Sequence, residues 1–156
     1  MHLNHTQILD LSSNQIQGTI PEWLWKKWSH SLTYMNLSRN NFSSMELSSY
    51  FLPNMQLQTL DLSYNNLHGK VPIPGHPTYR QLLDYSNNIF SSTPENFSWY
   101  LSQTAYISFA RNNISGQLPD TICRARMLEV LDLSYNNFSG LIPPCLIEDG
   151  HLRIKH

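Results

Sequence analysis

Leu131-Asp132-Leu133-Ser134-Tyr135-Asn136-Asn137-Phe138-Ser139-Gly140-Leu141-Ile142-Pro143 is one copy of a text that recurs along the whole chain. Leu9 to Pro21 reads LDLSSNQIQGTIP, Leu60 to Pro72 reads LDLSYNNLHGKVP, and Ile107 to Pro119 reads ISFARNNISGQLP. Weaker copies begin at Met35 (MNLSRNNFSSME) and Leu83 (LDYSNNIFSSTP). Indexed by one asparagine per copy, Asn14, Asn40, Asn65, Asn88, Asn112 and Asn136, the intervals are 26, 25, 23, 24 and 24 residues. Self-similarity at such a period marks stacked coils rather than a fold around one centre. Residues 1–156 are therefore read as a single array of about six repeats.

Each copy opens with an apolar-x-apolar pair: Leu9/Leu11, Met35/Leu37, Leu60/Leu62, Leu83/Tyr85, Ile107/Phe109 and Leu131/Leu133. That alternation predicts a short strand with one face inward, and successive strands should pair in parallel along a concave side. The indexing asparagine stands three residues after the second apolar position, where the chain turns inward. Its amide offers donors and an acceptor to buried backbone groups of adjacent coils. Six at one register predict a continuous ladder. In the four full copies the text continues as x-φ-x-G-x-φ-P, where φ is apolar, with Gly18, Gly69, Gly116 and Gly140 and Pro21, Pro72, Pro119 and Pro143. Glycine permits a bend and proline withholds a donor, so a second short extended piece should flank the coil. Short helical returns are expected at Glu22 to Trp28, Thr121 to Ala125 and Cys145 to Ile147. Ser44 replaces the glycine in the Asn40 copy, so Met45 to Met55 should be irregular. Val71 to Pro77 is too proline-rich for a helix and should be an extended loop.

Ten basic and eleven acidic residues nearly balance, which argues against a nucleic-acid or polyanion binder. No run of apolar residues is long enough to span a membrane, and Met1 to Thr6 does not look like an export leader. Cys123 and Cys145 are 22 residues apart, close to one repeat, which places them at similar positions on adjacent coils. They form a disulfide if the chain is exported; the alternative is two separately buried thiols. Glycosylation triplets at Asn4, Asn36, Asn41, Asn96, Asn113 and Asn137 favour export. Triplets without a leader lead us to expect a piece of a longer exported protein.

Outward positions on the strands form rows. Four residues before the ladder asparagine stand Asp10, Asn36, Asp61, Asp84, Ser108 and Asp132; two before stand Ser12, Ser38, Ser63, Ser86, Ala110 and Ser134. Carboxylates can serve acid–base chemistry, but one per coil is better explained as part of the strand text. No HxxxH, HExxH, nucleophile-elbow or phosphate-loop text occurs, so neither catalysis, metal nor cofactor is expected. Two rows vary between copies. Six before the ladder asparagine are Ile8, Tyr34, Thr59, Leu82, Tyr106 and Val130; one before are Ser13, Arg39, Tyr64, Asn87, Arg111 and Tyr135. Ligand choice can be encoded where the repeat leaves a position free, and Tyr and Arg are frequent interface anchors. Tyr34, Arg39, Tyr64, Tyr106, Arg111 and Tyr135 are thus the contact candidates. The cluster Trp23, Trp25 and Trp28, with Lys26 and Lys27, has helical spacing and reads as packing.

The x-φ-x-G-x-φ-P extension resembles plant extracellular leucine-rich repeats. IPEWLWKKW from Ile20, LDYSNNIFSSTPENF from Leu83 and DLSYNNFSGLIPPCLIEDG from Asp132 are similar to the ectodomain of plant receptor-like proteins of the disease-resistance type. The resemblance implies an α/β repeat solenoid, a right-handed superhelix with a parallel concave sheet and an irregular or 3-10 convex side. It also implies non-catalytic recognition of a protein or peptide ligand at the outer face of the plasma membrane, with a receptor kinase as co-receptor. A secreted inhibitor of microbial wall-degrading enzymes, or the ectodomain of a receptor kinase, are the alternatives. His151 to Ile154 look like the opening of a seventh repeat.

Overall fold

The structure, a computed structural model, describes residues 5–49, 51–52, 56–95, 97–148 and 153–155. Six coils follow one another. The first contributes β1 (Ile8–Asp10), β2 (Gln17–Ile20) and helix α1 (Glu22–Lys27); the second β3 (Tyr34–Asn36), β4 (Asn41–Met45) and β5 (Phe51–Leu52). The third contributes β6 (Thr59–Asp61), β7 (His68–Lys70) and β8 (Ile73–Pro74). The fourth has β9 (Gln81–Asp84), β10 (Ile89–Ser92) and a 3-10 helix over Phe97–Leu101; the fifth has β11 (Thr104–Ser108), β12 (Ser115–Gln117) and a 3-10 helix over Asp120–Arg124. The sixth has β13 (Val130–Asp132), β14 (Asn137–Ser139) and α2 (Cys145–Glu148), after which β15 (Arg153–Lys155) adds a further strand.

The leading strands form one parallel sheet in the order β1-β3-β6-β9-β11-β13-β15. Its register aligns equivalent positions from coil to coil: Asp10 opposite Asn36, Asn36 opposite Asp61, Asp61 opposite Asp84, Asp84 opposite Ser108, Ser108 opposite Asp132. The inward partners make the core. Met35, Leu37, Leu60, Leu62, Leu83, Tyr85, Ile107, Phe109 and Leu131 are fully buried. The two aromatic substitutions accommodate each other: the Tyr85 and Phe109 rings stack at 5.7 Å, and Phe97 meets Phe109 edge-on at 5.8 Å.

The second strands pair only in twos, β2 with β4, β7 with β10 and β12 with β14. Where the text has glycine, φ is +85° to +112°. The copies with Ser44 and Ser92 in that position stay extended and absorb the difference as a register shift against their glycine-bearing partners. The Asn40 return is more regular than expected. β4 runs through Met45, and Phe51–Leu52 pairs with Ile73–Pro74, so the proline-rich segment holds a short strand within its extended course. On the convex side Trp25 is fully buried and Trp28 nearly so; Trp23 is exposed and packs edge-on against Trp28 at 6.4 Å.

Cys123 and Cys145 are joined by a disulfide with Cα atoms 5.6 Å apart, fastening the fifth coil to the sixth. Among the described residues no helix is long and apolar enough to cross a membrane.

Candidate ligand-recognition face

The indexing asparagines hold the edge of the sheet. The Asn88 amide donates to Leu62 O (2.9 Å), Tyr85 O (3.2 Å) and Ser86 O (3.2 Å), and its Oδ1 accepts from Leu67 N (3.0 Å). Asn40, Asn65, Asn112 and Asn136 repeat this arrangement on their own coils, each bonding the preceding one. Asn14 lies exposed, and among the described residues its side-chain amide donates to Leu11 O and Ser12 O of its own coil.

The outward aspartates have a local structural task. Asp10, Asp61, Asp84 and Asp132 each accept the backbone N–H of the serine two residues on, at 2.9 to 3.1 Å. Asn36 accepts from Ser38 in the same way at 2.9 Å, and Ser108 Oγ accepts from Ala110 N at 3.3 Å. These are Asx-type turns that close the strand ends. Their electrostatics differ along the row. Hydrogen bonds from the Ser12 hydroxyl and N–H hold the Asp10 carboxyl below the usual range. Burial pushes Asp84 up, and the neighbouring charges of Asp61 and Asp132 add to it, against the hydrogen bonds from Ser86. Tyr106 is raised as well, first by burial and then by Asp84.

Residues directly before the ladder asparagines share one backbone peculiarity. Ser13, Arg39, Tyr64, Asn87, Arg111 and Tyr135 all have φ between +54° and +56°. The left-handed region disfavours residues with a Cβ by about 1–2 kcal/mol, least for Asn. Of the six, Asn87 alone fits that preference. Arg39 lies over the Tyr64 ring (4.5 Å) and Arg111 over Tyr135 (4.1 Å), so successive coils present stacked cation–aromatic pairs on an exposed rim.

The contact candidates therefore fall into two groups. Arg39, Tyr64, Arg111 and Tyr135 form the exposed rim, while Tyr34 and Tyr106 are half-buried on the opposite flank of the sheet. Residues that the sequence rows kept separate meet here. Thr59, Asp61, Leu82, Asp84 and Tyr106 border a groove of ≈ 280 Å³ above Leu60 and Leu83. Leu82 is 43% exposed, an apolar residue facing out of the sheet centre. Its place beside Asp84 on one strand face was legible from the two-residue period; its meeting with Tyr106 and Asp61 required the register.

Of the triplet asparagines, Asn41, Asn113 and Asn137 are exposed, and Asn137 Nδ2 donates to Asn113 Oδ1 at 3.2 Å. Asn36 is half-buried, with Nδ2 donating to the Tyr34 hydroxyl at 3.3 Å. Asn4 and Asn96 lie outside the described residues. Among the described residues no three His, Cys, Asp or Glu side chains converge as metal ligands.

The Leucine Rich Repeat family model matches residues 5–26, 31–54, 56–75 and 127–148. Receptor-like protein 7 of Arabidopsis thaliana is 34% identical over 140 residues, 90% of this chain and 12% of the relative. Receptor-like protein 54 of the same plant is 37% identical over 138 residues, 88% of this chain and 14% of the relative. This chain thus spans a small part of those proteins. In fold it matches the crystal structure of the Arabidopsis receptor kinase HAESA in complex with the peptide hormone IDA and the co-receptor SERK1. That match has a TM-score of 0.78 and 27% identity, over 97% of this chain and 25% of that one. Four matched repeats, and a leading strand from every coil in one parallel sheet, show that the chain belongs to the leucine-rich-repeat family.

Proposed function

We propose that this chain is a ligand-recognition segment of the ectodomain of a plant cell-surface receptor-like protein, acting in defence or developmental signalling. It binds a peptide or protein outside the plasma membrane without catalysing a reaction, and a receptor kinase serves as its co-receptor. One observation carries this reading: Arg39, Tyr64, Arg111 and Tyr135 occupy left-handed backbone positions that favour Asn or Gly. Large side chains held there against backbone preference, stacked and exposed, serve binding better than folding. The similar receptor-like proteins and the peptide-hormone receptor of similar fold support the same class of role. The exposed glycosylation triplets at Asn41, Asn113 and Asn137 suit an extracellular location. The same location supports the Cys123–Cys145 bridge.

The test is retention. The immobilised 156-residue chain is exposed to peptides washed from plant extracellular fluid, and retained species are identified by mass spectrometry. Wild type should hold a defined set, and a variant with Arg39, Tyr64, Arg111 and Tyr135 all changed to Ser should lose most of it. Ser13 takes the same left-handed conformation, so the repeat accommodates serine there. Retention unchanged in that variant would remove the rim from the function.

A further inference from the structure

Across β6, β9 and β11 an apolar groove borders a row of carboxylates that, among the described residues, have no ion-pair partner. Leu82 and the Tyr106 ring form its apolar wall, with Thr59 in register beside Leu82. Asp61 and Asp84 stand on neighbouring strands, about 4.8 Å apart by sheet geometry. The ion pairs among the described residues, Lys26–Glu22 and Arg80–Glu129, lie elsewhere. The Arg39 and Arg111 guanidinium groups, on the rim of the same sheet, are turned onto tyrosine rings. Burial of Asp84 and the charge of Asp61 oppose ionisation, so a cation arriving from outside would relieve both at once. A bare cation would leave Leu82 in water; a neutral apolar group would leave the carboxylates unmatched. A long aliphatic stem ending in a positive charge satisfies the wall and the row together.

Resting on the recognition role above, we propose that this groove receives a lysine or arginine side chain of an extended peptide ligand. Its stem lies against Leu82 and Tyr106, and its charge lies between Asp61 and Asp84.

Two capped synthetic peptides, identical except for a central lysine or norleucine, test this by titration calorimetry on the full 156-residue chain. Lysine should bind about tenfold more tightly, as for a charge-assisted hydrogen bond. Asp84→Asn should erase that ratio by weakening the lysine peptide. An amide at this row keeps the turn, since Asn36 accepts the Ser38 N–H as the aspartates do. Leu82→Ser should weaken both peptides several-fold. Equal affinities for lysine and norleucine, or a ratio that survives Asp84→Asn, would overturn the proposal. So would preference for a third peptide with central glutamate. If the glutamate peptide binds and Arg39→Ser with Arg111→Ser abolishes it, recognition stands and this groove is not its cation site. If none of the peptides binds and nothing is retained from extracellular fluid, both readings fall.

Discussion

Asn14 and Asn88 hold the same position in the first and fourth coils. Asn88 is 6% exposed and its side chain makes four hydrogen bonds, two of them within its own coil, one to the preceding coil's Leu62 O and one from Leu67 N. The Asn14 side chain makes two among the described residues, both local. The aspartates four residues upstream differ as well: Asp10 is held low by hydrogen bonds, and Asp84 is pushed up by burial between charged neighbours. Leu9 and Leu11 are only partly buried, whereas Leu83 and Tyr85 are fully so. The same text thus gives a buried, cross-linked coil at the centre and a loosely held one at the edge. What differs is the neighbour, so stability here resides largely in coil-to-coil contacts.

The sharpest break of this comparison is a pair of alanine substitutions. Asn88→Ala leaves Leu62 O, Tyr85 O, Ser86 O and the buried Leu67 N–H without their side-chain partner. It should lower stability by about 3 kcal/mol or more, summed over several unsatisfied groups. Asn14→Ala exposes its partners to water and should lose under about 1 kcal/mol. Urea unfolding followed by circular dichroism measures both; equal midpoints for the two variants would refute a neighbour-dependent ladder.

The other end of the array tests whether a covalent link can stand in for stacking. The disulfide ties the fifth coil to the sixth across 22 residues. Changing both Cys123 and Cys145 to Ser should destabilise by about 3 kcal/mol through loop-closure entropy. Exchange protection should fall mainly in the sixth coil, with the fourth little affected. Uniform loss of amide protection across all coils would mean that the array unfolds as one unit, and the contrast between centre and edge would lose its meaning.

Leu9/Leu11, Leu60/Leu62 and Leu131/Leu133 made the inward strand face readable from period alone, because a two-residue alternation admits only one burial pattern. Helical returns were legible near Trp25 and Ile122, where apolar residues recur at helical spacing. The β5–β8 pairing was not, since Phe51–Leu52 and Ile73–Pro74 carry no repeat text and meet only because adjacent coils stack. The rim was legible as a variable row, but its left-handed backbone and Arg–Tyr stacking arise from the turn into the ladder and from the facing coil. The groove was least legible. It joins Leu82 and Asp84 of the fourth coil to Asp61 of the third and Tyr106 of the fifth, and neither row singles out the fourth coil.

The smallest effect expected is also the most specific, because it is a difference of sign. Asp84 has a folded-state pKa above its unfolded value, so its ionised form opposes folding. That penalty is absent below the unfolded value, about 4, and grows as pH rises through the window up to the folded one. Asp10 has a folded-state pKa below its unfolded value, so its ionised form favours folding above that value. The benefit is lost as pH falls through the folded pKa. Asp84→Asn should therefore raise Tm at neutral pH, with the gain vanishing as pH approaches about 4. Asp10→Asn should lower Tm at neutral pH, with the deficit closing only at still lower pH. Thermal melts of the two variants and the wild type over this range decide the matter. Differences of the same sign would show that the aspartate row is electrostatically uniform, and that neighbouring coils supply packing to the centre without altering its charge.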